Sequence, residues 1–423
     1  MFDSIAGDGV RRPGNRETIA LLAGLMALNA FAIDVMIPAL PDIGRSLGVS
    51  EDNHRQLVVV AYMVGFGSTQ LVWGPLADRF GRKPVLTAGV ILYSLFALLC
   101  AFAGSFALLI AGRVAMGASA AVTRVLVVAM VRDLFEAEAM ARVMSLVFMV
   151  FMLVPVLAPN IGQAILLFAP WRVIFLVLAV YALAMLAWSL LRLPETLHPE
   201  YRRSLDWREI GEAAWATIRE PQSRGYTLAL TIAFATLVAY IASIQQIVFD
   251  AFAKPELIGI VFASIAAPMA LASWTNARVV GRFGLRRVGH GAALAFAVVT
   301  AAHAAIALAG WESLTIFIIF QALAMCCFAL TSSNLGTLAM EHMAPIAGTA
   351  SSVQGVVGTV GAAILGFAIG QTFDGTATPF LVWVAACALA SFLLIVATEP
   401  RHLFAPMRMR ADALPPVVPE DLG

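Results

Sequence analysis

Three charged residues lie inside long apolar segments of this chain, and they are the strongest candidates for chemistry. Asp34, Arg113 and Arg124 are each flanked by mainly apolar residues. In a membrane-spanning helix a charged side chain costs about 2.5–3.5 kcal/mol on insertion scales, so its presence calls for a reason. Such residues face a cavity, pair with one another, or mark the path of an ion or substrate.

Asp34 is the candidate proton carrier. Burial disfavours a carboxylate relative to its protonated form, and a carboxyl group that titrates near neutral pH can exchange its proton for a substrate. Arg113 could pair with Asp34 or keep the site positive when Asp34 is neutral. Two simpler interpretations stay open. Asp34 could be an interfacial residue that caps the turn before Pro38, and Arg113 could extend to the membrane surface.

Arg124 follows Arg113 by eleven positions, which returns it to nearly the same face of a helix. The two cations are then about 16 Å apart along one stripe. Arg124 could meet an anionic group on a substrate, or it could pair with a carboxylate such as Glu341. The sequence leaves both possibilities open.

Aromatic and amide side chains could form the wall of a binding cavity. Tyr62, Phe66 and Gln70 recur every four residues on one stripe, and Tyr240 and Gln245 are their best counterparts in the second half of the chain. Broad recognition of drug-like molecules calls for an apolar, aromatic wall with few polar anchors. Packing in the core or against lipid is the alternative for each of these residues.

Other classes of chemistry lack support in the sequence. There is no nucleotide-binding loop of the form GxxxxGK[S/T], no spacing typical of metal ligands and no nucleophilic triad. The four cysteines all lie in apolar runs and are interpreted as packing residues. We therefore predict that the chain is not an enzyme, that it binds no cofactor or metal, and that a proton gradient is its energy source.

The elements that position these residues are membrane helices. Hydrophobic residues make up 61% of the chain and charged residues 13%, with a mean hydropathy of +0.88, whereas soluble domains carry about 25% charged residues. A helix needs about 20 apolar residues to cross a bilayer. Twelve such runs fall near 18–39, 55–77, 84–103, 106–131, 140–167, 171–192, 226–249, 257–279, 288–309, 312–339, 346–370 and 377–398.

Basic residues fix the predicted topology, because they concentrate in cytoplasmic loops. With both termini in the cytoplasm, 21 of the 27 Lys and Arg residues fall on that side. The exceptions are four on the opposite side and two within spans: Arg45, Arg55, Arg172 and Lys254, then Arg113 and Arg124. No part of this charge pattern indicates a nucleic-acid partner.

The sequence divides into two similar halves. We predict a cytoplasmic tail at 1–17, a six-helix bundle at 18–193, a cytoplasmic linker at 194–225, a second six-helix bundle at 226–398 and a disordered cytoplasmic tail at 399–423. Within the linker, apolar residues at helical spacing over 205–218 indicate an amphipathic helix on the membrane surface. Residues 78–85 and 281–288 are similar to each other and occupy the same loop of each half. Two like halves with a site between them at mid-membrane is the plan of secondary transporters.

Several motifs resemble those of a known family. Residues 74–83 resemble the signature loop of the major facilitator superfamily, through Gly74, Asp78, Arg79, Gly81, Arg82 and Lys83. Residues 109–117, which include Arg113, resemble the fourth-helix motif of its drug:proton antiporters. The fifth-helix antiporter motif is similar to residues 155–162, with Pro155, Pro159 and Gly162, although Ala158 replaces its usual glycine. Residues 34–41, 132–133 and 347–351, together with Gln70, resemble the bicyclomycin/chloramphenicol-resistance (Bcr/CflA) subfamily.

This resemblance implies a fold and a function. It implies an all-α membrane protein with twelve helices in two pseudo-symmetric bundles, which exports drug-like compounds from a bacterial inner membrane in exchange for protons by alternating access. It implies proton coupling at Asp34 and Arg113, a conformational latch in the loop motif, with Asp78 against the N-terminus of another helix, and a gate at the fifth-helix motif. Lipid, protons and a small-molecule substrate are the predicted partners of a monomer. A proton-coupled symporter, or an exporter of a specific metabolite, is the alternative.

Overall fold

The computed structural model describes residues 15–135, 137–198, 200, 202 and 206–404. Eight α-helices form the first half of the molecule. They are α1 (Asn15–Asp34), α2 (Leu40–Ser46), α3 (Leu57–Ser68), α4 (Gln70–Phe80), α5 (Arg82–Ala101), α6 (Phe106–Leu134), α7 (Ala137–Phe168) and α8 (Arg172–Arg192). Short 3₁₀ turns at Ile37–Ala39 and Asp52–Gln56 connect α1 to α2 and α2 to α3.

The second half continues with seven α-helices. They are α9 (Trp207–Arg219), α10 (Pro221–Gln246), α11 (Ile258–Phe283), α12 (Leu285–Leu308), α13 (Leu314–Ala339), α14 (Ala347–Gly370) and α15 (Thr378–Thr398). A π-helical turn at Ile247–Ala251 extends α10.

These helices provide the twelve predicted spans. In the described ranges, ten helical segments are long and apolar enough to cross a membrane. The 3₁₀ turn before α3 with α3, followed by α4, makes one more span, with a bend of 45°. We assign the remaining span to α7, whose described apolar stretch, Val154–Phe168, is shorter than the other spanning segments. The predicted all-α membrane fold is therefore confirmed.

Successive spans run in opposite directions, so each end of the molecule has its own set of loops. One end, which we call the loop-motif end, carries the turns after α4, α6 and α11; the opposite end carries the Asp52–Gln56 turn. Gly81 and Gly284 occupy equivalent turns in the two halves, with φ of 101° and 86° and ψ of 153° and 155°. Both values of φ lie in the region that favours glycine, so the sequence repeat corresponds to one repeated backbone turn.

The helices pack mainly within their own half. α1 packs on α6, α7 and α8, and α3 and α5 both pack on α6. In the second half α10 packs on α13, α14 and α15, while α12 packs on α13 and α15. The contacts between the halves are made chiefly by α7 with α11 and by α3 and α4 with α14. We call this contact the seam.

The linker contains the predicted amphipathic helix. Asp206 caps α9 by accepting hydrogen bonds from the backbone N–H groups of Arg208 and Glu209, as expected of an N-cap aspartate. Trp207, Trp215 and Ile218 are exposed on this helix. The predicted helix began at 205, which lies outside the described residues, as do residues 1–14 and 405–423 of the two predicted tails.

Candidate functional site

Asp34 ends α1 at the seam and is buried, with 3% of its surface exposed. Its Oδ1 atom has no hydrogen-bond partner among the described residues. Ile37, one turn further on, packs into the same apolar cluster as Tyr240 of α10, and the Asp34 carboxyl lies within electrostatic range of the Tyr240 hydroxyl. The helix end therefore directs Asp34 toward the second half of the molecule, and the interpretation of Asp34 as an exposed interfacial cap is wrong.

Arg113 is fully buried in α6, and it does not pair with Asp34. Its Nε donates to the carbonyl of Val58 at 2.7 Å and its Nη1 to the carbonyl of Ala32 at 3.0 Å. The guanidinium also lies over the Tyr62 ring, 4.6 Å from its centroid. The suggested pairing with Asp34 is thus absent, and so is the alternative, an extension of Arg113 to the membrane surface. The reason is local: carbonyls in the last turn of a helix lack intrahelical donors, and Ala32 supplies one two residues before Asp34.

Arg124 lies on the same face of α6, but its surroundings differ. It is exposed in the middle of a span, and we interpret its free surface as facing a cavity between the helices. One and two turns further along α6, Val128 is 44% exposed and the Arg132 side chain 65% exposed, so the exposed stripe continues to the loop-motif end. Toward the opposite end, Ala120 and Gly117 are buried.

Arg124 has no carboxylate partner in the part of the chain that the structure describes. The suggested partner Glu341 instead binds Arg286 and Gln222, each at 2.6 Å, because α13 ends beside α12 and α10. Arg124 instead contacts the ring of Phe66, whose centroid is 5.9 Å from the guanidinium carbon.

The stripe on α3 and α4 reaches several partners. Tyr62 is fully buried; its hydroxyl donates to Asn29 at 3.2 Å, and its ring stacks on Phe66 at 6.4 Å. Gln70 is turned away from the cavity and donates to Thr359 of α14 at 3.2 Å. Tyr62, Phe66 and the two arginines of α6 therefore form one group, whereas Gln70 belongs to the seam.

Tyr240 and Gln245 are almost completely buried in α10. The hydroxyl of Tyr240 and both polar atoms of the Gln245 amide have no hydrogen-bond partner among the residues described. Tyr240 packs on Phe262, with 5.4 Å between ring centroids. Buried polar atoms usually have partners, so this part of α10 is suited to contact a bound molecule or water.

A polar cluster that the sequence analysis missed closes the seam at the end opposite the loop motif. Asn53 and Gln56, before α3, bind Gln246 at the end of α10 and the backbone of Gly370 and Gln371 at the end of α14. The Asn53 amide also donates to the carbonyl of Phe373 at 3.0 Å, and the Gln371 amide donates back to the Asn53 carbonyl at 3.0 Å. We call these residues the closure cluster. Asn53 and Gln56 lie in a polar loop, where nothing in the sequence distinguishes them.

Asn29 was also missed, and here a signal existed. It is a polar residue in the middle of the first apolar run, and such residues are functional candidates by default. It donates to Thr123 at 2.7 Å and accepts from Tyr62. Asn29 thus ties α1 to both α3 and α6 beside the cavity.

The loop motif binds partners within its own half. Arg82 is buried and forms ion pairs with Asp78 at 2.7 Å and Asp133 at 3.1 Å. The Glu195 carboxylate accepts hydrogen bonds from the backbone N–H groups of Arg82 and Lys83, which caps the first turn of α5. Asp78 belongs to α4 and Arg82 is the first residue of α5, so this ion pair joins Asp78 to the start of the next helix; a role of Asp78 at a helix N-terminus stays a prediction.

Other residues of the motif have separate roles. The Lys83 ammonium donates to the carbonyl of Leu190 at 2.9 Å, and the Arg79 guanidinium lies 5.2 Å from the Phe80 ring centroid. The tight turn predicted at Gly81 is confirmed by its φ. Close helix approach at Gly74 is not observed, because a Cβ there would be 3.8 Å from Val125.

The closest helix approach in this region is between α3 and α6. A Cβ on Gly65 would lie 2.0 Å from the carbonyl oxygen of Val114, and one on Gly117 would lie 2.0 Å from that of Tyr62. Gly117 belongs to the predicted fourth-helix motif. These two glycines bring Arg113 and Arg124 against the aromatic stripe.

The fifth-helix motif lies in α7, with Pro155 and Pro159 inside the helix. Gly162 packs on the chain just after α1, since a Cβ there would lie 2.3 Å from the carbonyl oxygen of Val35. Asn160 contacts Gly259 of α11 so closely that a Cβ on that glycine would clash. The motif therefore contacts both the chain next to Asp34 and the other half.

In the described ranges, no three His, Cys, Asp or Glu side chains are grouped so that they could hold a metal ion. Twelve spans in two halves, with buried charges at and beside the seam, define a secondary membrane transporter.

Comparison with known proteins identifies the family. The Major Facilitator Superfamily profile matches residues 22–366. The chain is 31% identical over 395 residues to the bicyclomycin resistance protein homolog of Haemophilus influenzae, with 91% of this chain and 96% of that protein covered. It is 35% identical over 172 residues to the multidrug resistance protein MdtL of Escherichia coli, with 41% of this chain and 44% of that protein covered. The chain belongs to the major facilitator superfamily and is a multi-pass membrane transporter of small molecules, not an enzyme.

Structural comparison agrees with this fold. The crystal structure of a D-xylose-proton symporter superposes with a TM-score of 0.72 at 14% sequence identity, covering 90% of this chain and 97% of the other. The predicted resemblance to bicyclomycin-resistance proteins is confirmed by the relative from Haemophilus influenzae.

Proposed function

We propose that the protein exports small drug-like compounds across the bacterial inner membrane in exchange for protons. The observation that carries this proposal is the Asp34 carboxyl, which is buried at the seam with an unpartnered oxygen. Such a group is more stable when it is neutral, and it can accept a proton without losing an ion pair. The names of two relatives, a bicyclomycin resistance protein homolog and a multidrug resistance protein, support export of drug-like compounds.

The loop-motif end is assigned to the cytoplasm, with both termini, because the basic residues concentrate there. The closure cluster then seals the outer side, and the exposed stripe from Arg124 to Arg132 opens to the cytoplasm. In this state a compound enters from inside the cell while Asp34 is separated from the outer solution. The reverse state requires the closure cluster to break and the cytoplasmic ends of the halves to meet.

Arg113 transmits the state of Asp34 in this proposal. It binds the carbonyl of Ala32 in the last turn of α1 and the carbonyl of Val58 in the first turn of α3. Ionisation of Asp34 attracts the guanidinium and competes with these two bonds. Arg113 therefore couples the charge of Asp34 to the way α1 and α3 pack. Tyr240 and Gln245 provide polar anchors for the compound from the other half, and Pro155, Pro159 and Gly162 form a gate where α7 meets α1 and α11.

The direct test uses purified protein in liposomes with a pH gradient and a compound selected by a resistance screen of overexpressing cells. Asp34→Asn removes the titratable group and nearly preserves its shape. We expect gradient-driven transport by this variant to fall to the level of protein-free liposomes, while exchange of labelled for unlabelled compound without a gradient persists. Asp42→Asn is the matched control, because Asp42 lies eight positions further on and pairs only locally, with Arg45, in the described structure. Gradient-driven transport by Asp34→Asn at the wild-type rate would exclude the proposed role.

Symport is the alternative, including import of a specific metabolite. The direction of proton movement separates the two. Compound that enters the vesicles makes the lumen more acidic if protons enter with it, as in symport, and more alkaline if protons leave in exchange, as in antiport. The likeness of residues 155–162 to the fifth-helix antiporter motif favours antiport.

A further inference from the structure

Arg124 has no counter-ion among the residues that the structure describes. It lies in the middle of α6, and the part of the chain that the structure describes provides it with neither a carboxylate nor a hydrogen-bond acceptor. An arginine has five N–H donors and stays charged at all physiological pH values. Such a residue is rarely retained in a membrane helix without a partner.

Arg113, on the same helix, is bonded to the backbone of two other helices, although its Nη2 has no partner among the described residues. Its guanidinium is closed off from solvent and bonded to two backbone carbonyls. Arg124, three turns away on the same face, is exposed, and the exposed stripe continues past Val128 to the loop-motif end. The two arginines therefore differ in function: one holds helices together, and the other presents free donors to molecules that enter.

The groups around Arg124 are neutral and in part aromatic. Phe66 lies beside the guanidinium, and Tyr62 stacks on Phe66. The neighbouring Thr123 accepts a hydrogen bond from Asn29, and Asn29 accepts one from Tyr62, so both oxygens are already bonded. In a low-dielectric cavity, an uncompensated positive charge attracts anions and repels cations strongly.

We propose that Arg124 binds an acidic group on the exported compound, so that preferred substrates are amphiphilic anions. A carboxylate or sulfonate accepts two parallel hydrogen bonds from the guanidinium, and the aromatic or apolar body of the same molecule packs on Phe66. This inference rests on the proposed transport function and adds the charge class of the substrate. A permanently cationic compound is disfavoured at this position.

The test measures binding, which requires no proton gradient. The purified transporter is placed in lipid nanodiscs and titrated with three probes on one scaffold: 2-naphthoate, neutral 2-naphthamide and cationic 2-naphthylmethylammonium. We expect the wild type to bind naphthoate most tightly and the cation least. Arg124→Gln is expected to weaken naphthoate binding about 10- to 100-fold, since a hydrogen bond to a charged group is lost, and to leave naphthamide binding within about twofold. Arg124→Lys retains the charge but cannot donate two parallel hydrogen bonds to one carboxylate, so its affinity for naphthoate is expected to be intermediate.

Arg219→Gln is the matched control. Arg219 also lies over an aromatic ring, with 4.9 Å to the Trp215 centroid, but it belongs to the linker helix α9. Its loss is expected to leave binding of all three probes unchanged. Equal binding of the three probes by the wild type, no binding of naphthoate, or unchanged naphthoate binding by Arg124→Gln would each overturn the proposal. An equal loss of naphthamide binding would do the same, because it indicates a structural role for Arg124. Asp34→Asn distinguishes the two proposals: if that variant still couples to protons normally, the transport mechanism fails while the binding result stands.

Discussion

The closure cluster offers a direct way to change the balance between the two states of the transporter. Gln56 is 1% exposed, and its amide donates to the Gln246 side chain and, at 3.2 Å, to the carbonyl of Gly370. Both partners belong to the other half of the molecule. Gln56→Ala therefore removes two hydrogen bonds that exist only while this end is closed.

The size of the effect follows from those two bonds. A hydrogen bond contributes about 0.5–1.5 kcal/mol net, so the loss of two disfavours the closed state by about 1–3 kcal/mol. Since about 1.4 kcal/mol corresponds to a tenfold change in an equilibrium constant, the ratio of open to closed molecules should rise about 5- to 150-fold. The tight fit of Gly370 against the Gln56 amide, where a Cβ would lie 1.8 Å from Oε1, means that truncation also leaves a space.

Cysteine labelling measures this ratio. Ile37 is fully buried at the seam on the closed side, so Ile37→Cys in a background without the four native cysteines reports opening. A membrane-impermeant maleimide is added to the closed side in oriented vesicles. We expect Gln56→Ala to increase the labelling rate by the same 5- to 150-fold factor.

His54→Ala is the control for this experiment. His54 lies in the same 3₁₀ turn but pairs with Glu51 of the same half. It should label at the rate of the parent protein. If Gln56→Ala also labels at the parent rate, the closure cluster does not hold the seam and our description of the state is wrong.

Three further predictions concern stability in detergent. Gly117→Val should lower the free energy of unfolding by about 1–3 kcal/mol or more, as overpacking does, since even a Cβ would lie 2.0 Å from the Tyr62 carbonyl oxygen. Arg82→Gln should lower it by about 1–3 kcal/mol, below the 3–5 kcal/mol of a fully buried pair because one partner is 41% exposed. Burial alone would raise the pKa of Glu399, but hydrogen bonds from Arg286 and Tyr226 hold it below the ordinary 4.5. The stabilisation is therefore full above pH 4.5 and is lost as pH falls through the lower, folded-state pKa, and Glu399→Gln should remove this dependence.

Thermal unfolding checks all three, and each has a control in the chain. Gly358→Val adds a side chain where a Cβ has no neighbour within 4 Å, so it should be nearly neutral. Arg79→Gln removes an exposed charge of the same loop. For Glu399, melting temperatures are compared in a series from pH 7 down through the folded-state pKa, and an equal loss in wild type and Glu399→Gln would assign the pH effect to other groups.

The candidate charges were identifiable from sequence, but their partners were not. Asp34, Arg113 and Arg124 are recognisable because a charge in an apolar run is costly wherever the helix packs. Helical periodicity also placed Arg113 and Arg124 on one face. Whether Arg113 contacts Asp34 or a carbonyl depends on distances of a few ångströms between helices, and such distances depend on glycines such as Gly65 and Gly117 that meet only in the folded protein.

The contacts of the closure cluster could not be predicted from the sequence either. Asn53, Gln246 and Gln371 come from three distant parts of the chain, and each is unremarkable in its local sequence. They are brought together because α10 and α14 end at the same side of the seam as the turn before α3. The repeated glycine turns at Gly81 and Gly284, in contrast, follow from local similarity, since each requires a positive φ that glycine adopts most readily.

The sequence by itself determined that this protein lies in a membrane, that it has twelve spans and two related halves, and which residues carry the buried charge. These properties follow from hydropathy, the distribution of basic residues and local motifs, all of which act over one helix or one loop. Only the tertiary structure decided that Arg113 holds helix carbonyls, that Arg124 meets no carboxylate among the described residues, and which end of the seam is closed. Those outcomes depend on how separate helices approach one another, and that packing is set by many side chains at once.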